Sequence, residues 1–215
     1  MKQAAKPKLV MLDRDGTITE EIGRDITRPQ DLHLIPRAGE AVALLNRAGI
    51  AVALVSNQEV VGRGEIDRKM LDRIDAKMRA DLAAYGARLD AVFVCTDDPK
   101  HPSDRHKPCS GMLQEALARF RARPHQAPMI GDELSDLEAA ARAGCPRHLV
   151  RTGNGAKAAR KLPKHVLPVA IHKDLHAAVL CLLDGRRVSP HGPARRGAAS
   201  RPPARQLNRR HAGIT

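Results

Sequence analysis

Short, wholly apolar runs recur along the chain, and segments with helical spacing separate them. A strand that is apolar on both sides is buried on both faces, which is typical of a parallel sheet covered by helices. The alternation therefore predicts an α/β fold with a doubly wound parallel sheet and right-handed crossovers. The predicted strands are 9–12, 50–55, 91–95, 127–130 and 148–150.

The segments between these runs have the composition and spacing of helices. Apolar residues recur every fourth position from 66 to 82, which predicts one core-facing stripe on a helix over 65–85. Gly49 is placed to end another helix. The other predicted elements are helices over 37–48, 111–121, 134–143 and 174–183, a short helix after 156, and a weak strand near 166–171.

Composition divides the chain into a domain, 1–184, and a tail, 185–215. The formal net charge is +13, but the tail carries eight Arg and no acidic residue, so removing those eight leaves +5 on the domain. Rich in Arg, Pro, Gly, Ala and Ser, the tail cannot bury enough apolar surface to offset its ordering entropy. We therefore expect a disordered basic tail.

Composition also argues against one functional class, the binding of single-stranded nucleic acid. Hydrophobic residues make up 42% of the chain, enough for a sizeable core, but aromatic residues make up only 1%. The stacking platforms of single-stranded nucleic-acid binders are therefore missing, and we do not expect nucleic acid as a partner. A polyanion bound through the tail stays open as an alternative from a different class.

Targeting signals and cysteine usage indicate the compartment. We expect no signal peptide. The sequence has no apolar run long enough to cross a bilayer, and its four cysteines form no CxxC pair. We expect reduced thiols, a cytoplasmic location, no membrane partner and a monomer.

The first predicted strand is followed by Asp13-Arg14-Asp15-Gly16-Thr17. Two carboxylates at this spacing can divide the labour of phosphoryl transfer. Asp13 suits the nucleophile because it is ionised at neutral pH, and Asp15 suits the group that donates and accepts protons. A calcium loop also begins with D-x-D-G, but it needs an acidic twelfth residue, and Arg24 stands there.

Two further motifs suit the binding of a phosphoryl group. Ser56-Asn57-Gln58 follows the second strand, where a hydroxyl and backbone amides can cradle phosphate oxygens. Lys107, in the loop after the third strand, can offset phosphoryl charge. Each motif alone is also typical of an ordinary surface loop.

Asp132 follows the fourth strand, where it can meet Asp13 and hold Mg²⁺ between the two carboxylates. Asp136 lies one helical turn later and can orient Lys107 or the ion's water ligands; the bland alternative is an acid at a helix N-terminus. All four motifs directly follow a predicted strand. Because ligands of such sheets bind at the carboxyl ends of the strands, the set predicts a phosphatase acting on a small phosphorylated metabolite.

The stretches DRDGTIT, SNQEVVGRG, HKPCSGM and GDELSDLEAAARAG resemble the haloacid dehalogenase-like phosphatases over residues 8–153. They are most similar to the family that holds the heptose bisphosphate and histidinol-phosphate phosphatases. The resemblance implies a Rossmann-like fold with little or no cap domain and a reaction through an aspartyl-phosphate.

The same resemblance assigns roles to individual residues. It implies Asp13 as the nucleophile, Asp15 as the acid/base, and Mg²⁺ held by Asp13, Asp132 and the backbone carbonyl of Asp15. It implies Ser56 and Lys107 as stabilisers of the phosphoryl group.

The chain departs from the family's structural zinc loop. Cys95 remains, but Asp97, Ser103 and Arg105 stand where the family has its other ligands. One thiolate cannot form a closed tetrahedral site, so we expect no structural zinc. A rewired site stays open, built from Cys95, His101, His106 and Cys109.

Other departures concern the substrate. His106 replaces the family's substrate-recognising arginine, and Glu133 stands where a lysine is common. Arg63 can restore some of this positive charge, or it can be an ordinary surface arginine. We expect a heptose bisphosphate phosphatase, with a histidinol-phosphate phosphatase or a broad small-metabolite phosphatase as alternatives.

Overall fold

The computed structural model describes residues 6–184. The strands are β1 (Leu9–Leu12), β2 (Ala51–Asn57), β3 (Ala91–Cys95), β4 (Met129–Gly131), β5 (Arg147–Val150) and β6 (Ala170–His172). The α-helices are α1 (Ala38–Arg47), α2 (Glu59–Gly62), α3 (Arg68–Ala83), α4 (Gly111–Arg119), α5 (Leu134–Arg142), α6 (Gly155–Ala158) and α7 (Leu175–Leu183). Short 3₁₀ helices lie at Pro29–Asp31, Pro124–Gln126 and Lys164–Val166.

The six strands form one parallel sheet in the order β3-β2-β1-β4-β5-β6. The chain first builds outward from β1 to β3 and then returns to add β4 on the other side of β1. The connection after β1 therefore runs to one side of the sheet and the connection after β4 to the other. The position between β1 and β4 is the switch point where ligands bind in such sheets.

Alternate residues of β1 contact opposite layers of the core. Val10 and Leu12 belong to the cluster that contains buried residues of α1, α3 and α7. Leu9 and Met11 belong to the cluster that contains buried residues of α4 and α5. Because successive side chains of a strand point to opposite faces, an apolar run four residues long holds both helix layers.

Polar side chains fix where two of the helices begin. Asp67 accepts a hydrogen bond from the backbone N–H of Met70 at 2.7 Å, which caps α3. Asp174 accepts one from Ala177 at 2.8 Å, which caps α7. Each bond satisfies a donor that the helix leaves unpaired at its first turn.

The predicted fold class is confirmed, with differences in detail. β2 continues through Ser56 and Asn57, which pair with Val94 and Cys95 of β3 although both are polar. The short helix α2 was not predicted. The segment predicted as a weak strand near 166–171 divides into a 3₁₀ turn and β6. The connections within residues 6–184 are loops and short helices, without a separate cap domain.

The stripe predicted on the third helix is partly wrong. α3 begins at Arg68, so Ile66 precedes it, and its buried residues are Leu71, Ile74, Asp75, Met78 and Leu82. Periodicity counted apolar residues only, so it passed over the carboxylate on this core-facing side.

The predicted tail at 185–215 lies outside the described residues. Within 6–184, no helix has the length and apolar character that crossing a bilayer requires.

Two buried histidines stack on the outer strands of the sheet. The rings of His148 on β5 and His172 on β6 lie 5.2 Å apart, and Nδ1 of His148 is 3.0 Å from Nε2 of His172. Burial, aided by the neighbouring ring, lowers the pKa of His148 to about 3. The native protein therefore keeps this imidazole neutral.

The contribution of His148 to the free energy of unfolding should fall as the pH drops from about 6.5 towards 3, because only the unfolded chain then protonates His148. The full slope for one group is about 1.4 kcal/mol per pH unit. Urea unfolding between pH 7.5 and 5 should show a shallower pH dependence for His148→Asn than for the parent protein. His125→Asn, at an exposed histidine, should keep the parent slope. Identical slopes for the parent and His148→Asn would contradict the assignment.

Candidate active site

Three aspartates meet where β1 and β4 end. The backbone N–H of Asp13 donates to the carbonyl of Ile130 at 3.0 Å, which fixes the residue after β1 beside the end of β4. Carboxylate oxygens of Asp13, Asp132 and Asp136 lie within 4.8 Å of one another, and all three residues are buried. The edge of the sheet thus concentrates negative charge away from solvent.

Lys107 supplies a positive charge inside this cluster. Its Nζ donates to Asp13 Oδ1 at 2.7 Å, to Asp136 Oδ1 at 2.6 Å and to the carbonyl of Val55 at 3.1 Å. The side chain is only 4% exposed, so both ion pairs are desolvated. Asp136 therefore shares Lys107 with Asp13, as one of the predicted roles required. It also lies in the first turn of α5, where its Oδ2 accepts from the backbone N–H of Glu133 at 3.0 Å, so the alternative of an acid at a helix N-terminus is met as well.

Asn57 holds the backbone of Lys107. Its Nδ2 donates to the carbonyl of Lys107 and its Oδ1 accepts from the Lys107 N–H, each at 3.0 Å. This pair of bonds ties the end of β2 to the loop that carries the lysine. Asn57 was predicted to bind phosphate or substrate; that role stays a prediction, and the contacts seen are to the protein.

The cluster holds more negative than positive charge, and the acid strengths reflect it. Burial raises the pKa of Asp13 to about 6, although Lys107 opposes the rise. Burial, with Asp13 and Asp136 nearby, raises the pKa of Asp132 to about 9. Burial disfavours the ammonium of Lys107, but its two carboxylate partners outweigh this and raise its pKa. A cation placed among these oxygens would stabilise all three carboxylates.

Asp132 has one oxygen paired and one without a partner. Oδ2 accepts from the backbone N–H of Asn154 at 2.7 Å, while the buried Oδ1 has no hydrogen-bond partner. Gly16 and Gly153 surround this carboxylate: a Cβ on either would lie 2.2 or 2.3 Å from Oδ2. Both have positive φ, 74° and 53°, so glycine is required for space and for conformation.

Asp15 lies at the same edge and accepts from several donors. Arg14 Nε lies 3.1 Å from each carboxylate oxygen, Thr19 Oγ1 donates at 2.9 Å and Gln58 Nε2 at 3.2 Å. Burial opposes ionisation, but Arg14 and these hydrogen bonds hold the pKa of Asp15 below its usual value. Gln58 also donates to the Ser56 hydroxyl at 2.9 Å, so its side chain links Ser56 to Asp15.

His106 continues the network away from the cluster. Its Nε2 is 2.9 Å from Oε1 of Glu59 and 3.3 Å from Nδ2 of Asn57. The imidazole thus connects the Asn57 side chain to an acid on α2.

Arg63 is held by acids and is not among the residues that contact the aspartate cluster. It pairs with Glu59 at 3.2 Å, with Glu65 at 2.6 Å and with Asp25. Its predicted contribution to substrate binding would require it to exchange or share these partners.

The loop considered for zinc is held by polar contacts. Asp97 accepts from the backbone N–H of Ser103 at 2.7 Å, and Arg105 pairs with Glu115 at 2.8 Å. Cys95 and Cys109 carry free thiols. Over residues 6–184, the only cluster of three or more candidate metal ligands is the aspartate one.

Sequence reasoning passed over the loop after β5. Its Thr152 donates to the carbonyl of Gly16 at 2.6 Å, and Asn154 contacts Asp132. The rule that placed the other motifs, a polar turn directly after a strand, applies equally to Thr152-Gly153-Asn154 and could have found them. Arg14 was given no role in the sequence analysis, and no periodic pattern singles it out.

Comparison with known proteins identifies the lineage of this arrangement. Residues 105–178 match the family described as HAD-hydrolase-like. The D-glycero-beta-D-manno-heptose-1,7-bisphosphate 7-phosphatase of Bordetella bronchiseptica is 37% identical over 150 residues, which cover 70% of this chain and 84% of the relative. The D-glycero-D-manno-heptose-1,7-bisphosphate 7-phosphatase of Chlorobaculum tepidum is 30% identical over 194 residues, covering 85% and 97%.

Solved structures agree. The crystal structure of the B. bronchiseptica D,D-heptose 1,7-bisphosphate phosphatase, complexed with magnesium and phosphate, superposes with a TM-score of 0.78 at 35% identity. It covers 83% of this chain and 99% of that one. The enzyme from Burkholderia thailandensis superposes with a TM-score of 0.62 at 36% identity, covering 82% and 98%.

Gly153→Ala should destabilise the protein more than Gly23→Ala. Both glycines are exposed and have positive φ, but a Cβ at Gly23 meets nothing within 4 Å, whereas one at Gly153 would lie 2.5 Å from the Gly16 backbone. We expect about 1 kcal/mol from backbone strain in each variant and roughly 1–3 kcal/mol more from the clash. Urea unfolding measures both; equal losses would show that the loop gives way freely.

Proposed function

The chain belongs to the haloacid dehalogenase-like phosphatases, in the family of the heptose-1,7-bisphosphate 7-phosphatases, and on that premise we propose how it acts. It is a phosphoric monoester hydrolase. We propose that it hydrolyses a small sugar phosphate through an aspartyl-phosphate on Asp13, with Mg²⁺ as cofactor. The observation that carries this proposal is a buried Asp13 paired with Lys107 beside Asp132, whose Oδ1 has no partner.

The residues present fit Mg²⁺. Three buried carboxylates face one ammonium, and the oxygen donors are the ligands that Mg²⁺ prefers. We propose that Asp13, Asp132 and the backbone carbonyl of Asp15 hold the ion. When bound, it offsets the negative charge of the carboxylates and of the transferring phosphoryl group.

Asp13 is the proposed nucleophile. One of its oxygens forms a bond to phosphorus while the bond from phosphorus to the ester oxygen breaks. Lys107, 2.7 Å from Asp13, offsets charge on the phosphoryl oxygens, and the Ser56 hydroxyl donates to them. The lysine's ion pair with Asp136 keeps the ammonium in place during this step.

Asp15 is the proposed acid and base. Protonated Asp15 gives its proton to the leaving alkoxide. The resulting carboxylate takes a proton from the water that attacks phosphorus, the Asp13–phosphorus bond breaks, and inorganic phosphate leaves. Arg14 favours the carboxylate in the free protein, and the negative charge of an entering phosphate shifts the balance towards the acid.

The substrate we propose is D-glycero-D-manno-heptose 1,7-bisphosphate, hydrolysed at position 7. The relatives named above support it. So does the loop after β5, which contacts Gly16 and Asp132 and carries an exposed cation, Arg151, and no acidic residue, since positive surface charge attracts anions. We also propose a monomeric enzyme in the cytoplasm.

One observation favours the alternative of a histidinol-phosphate or broad small-metabolite phosphatase. Arg63 already pairs with three acids, and His106 contacts Glu59, so this side of the site offers less positive charge than a second phosphate would call for. The alternative of a polyanion-binding protein concerns residues 185–215, outside the described part of the chain.

Assays of sugar and amino-alcohol phosphates with Mg²⁺ should give the highest kcat/KM for heptose 1,7-bisphosphate. Asp13→Asn should lower turnover of every substrate by at least about 10³-fold, because it removes the attacking carboxylate. Acid quenching during turnover should trap a phosphoenzyme in the parent and none in Asp13→Asn. Preference for histidinol phosphate would favour the alternative, and undiminished turnover by Asp13→Asn would refute the route.

Mg²⁺ should raise the melting temperature of the protein. At a hundredfold excess over Kd the stabilisation is about 2.7 kcal/mol, roughly 5–10 °C for a domain of this size. Asp132→Asn should lose most of this shift but change the metal-free melting temperature little, because burial already favours the protonated carboxyl. Asp81→Asn, in an ion pair on α3, serves as the control and should keep the full shift. An undiminished shift in Asp132→Asn would place the ion elsewhere.

A further inference from the structure

Arg14, between the two aspartates of the DxD motif, is buried although it carries a charge. Its side chain is 1% exposed, and Nη2 lies 2.8 Å from Asp15 Oδ2 while Nε reaches both Asp15 oxygens. One edge of the planar guanidinium is therefore devoted to the carboxylate of the proposed acid/base.

The other edge of the guanidinium faces Asp75 on α3. Arg14 Nη1 lies 3.8 Å from Asp75 Oδ1, a charge contact wider than a hydrogen bond. Neither of these two buried atoms has a hydrogen-bond partner. Asp75 stands next to Ile74 and one turn before Met78, both fully buried.

A carboxylate among the core-facing side chains of α3 lowers the stability of the fold, because burial disfavours its charge and an apolar residue would suit the core better. Of the cations that offset this charge, Arg14 acts most strongly, ahead of Arg79 and Arg68. Its guanidinium lies between two acids, Asp15 from the motif and Asp75 from a helix far along the chain. Because the guanidinium is planar and rigid, holding one edge sets the direction of the other.

We infer that Asp75 is a positioning residue: from α3 it fixes the plane of Arg14, and Arg14 in turn holds the Asp15 carboxylate where it exchanges protons with the leaving group and the water. The inference rests on the proposed route through Asp13. It gives Asp75 a role in the two proton transfers of Asp15, to the leaving group and from the water, and none in binding the phosphoryl group.

This role predicts a dependence on the leaving group. An alkyl phosphate expels an alkoxide that needs the proton of Asp15, whereas p-nitrophenyl phosphate expels a stable phenolate that does not. The kcat/KM value reports the steps up to phosphorylation of Asp13. Misdirecting Asp15 should therefore penalise the alkyl substrate and spare the aryl one.

The test compares Asp75→Asn and Asp75→Ala with the parent, using one sugar phosphate and p-nitrophenyl phosphate with Mg²⁺. We expect kcat/KM for the sugar phosphate to fall about tenfold or more, since general acid catalysis contributes roughly 10²–10⁴-fold. For the aryl phosphate it should fall less than about threefold. With the aryl phosphate, the Asp75 variants should release a burst of nitrophenolate before the steady state, because Asp15 must still activate water in the second step.

Two further variants sharpen the result. Asp72→Asn removes an exposed acid of α3, paired with Arg68, and should leave the ratio of the two kcat/KM values unchanged. Arg14→Lys keeps the charge but loses the planar fork. It should therefore lower the ratio of kcat/KM for the sugar phosphate to kcat/KM for the aryl phosphate, as the Asp75 variants do. The ratio does not depend on the fraction of folded protein, so a destabilised variant still gives an answer.

Equal losses on both substrates, or no loss on either, would overturn the inference and leave Asp75 a structural partner of Arg14. Failure of the proposed route itself would look different, since Asp13→Asn would then retain turnover on both substrates.

Discussion

The structure depends on one electrostatic arrangement: three buried aspartates around a single ammonium, between the ends of β1 and β4. Lys107 pairs with Asp13 and Asp136. With Asp132 counted, three carboxyl groups face one ammonium, so the cluster is short of positive charge. Burying unbalanced charge is expensive. The same deficit of positive charge that costs stability is what lets the site attract a divalent cation and organise a phosphoryl group.

Parts distant in sequence share the work of holding this arrangement. Asn57 at the end of β2 fixes the backbone of Lys107, and the loop after β5 supplies the N–H that anchors Asp132. On the other side, α3 contacts the DxD motif through Arg14. The parallel sheet makes this possible, because it brings every strand's carboxyl end to one edge, whatever the order of the strands in the chain.

Much of the fold could be predicted because burial imposes a simple pattern. β1 and β3 have the predicted bounds, since strands covered on both faces are apolar throughout. β2 was predicted too short because Ser56 and Asn57 are polar, yet their backbones pair with β3. Asp75 was missed for a related reason: hydrophobic periodicity does not predict a charged residue on the core-facing side of a helix, where Asp75 faces Arg14 across 3.8 Å.

The sequence alone determined the order of elements, the fold class and the residues that follow each strand, because periodicity and turn chemistry are local properties. A parallel sheet places Asp13 and Asp132 at the same edge, but their closeness depends on the pairing of β4 with β1, which only the tertiary structure shows. Tertiary structure decided which side chains pair: Lys107 with two acids, Asn57 with the lysine backbone, Arg63 with Asp25. Such pairings depend on distances of a few ångströms between segments far apart in the chain, and no local pattern encodes them.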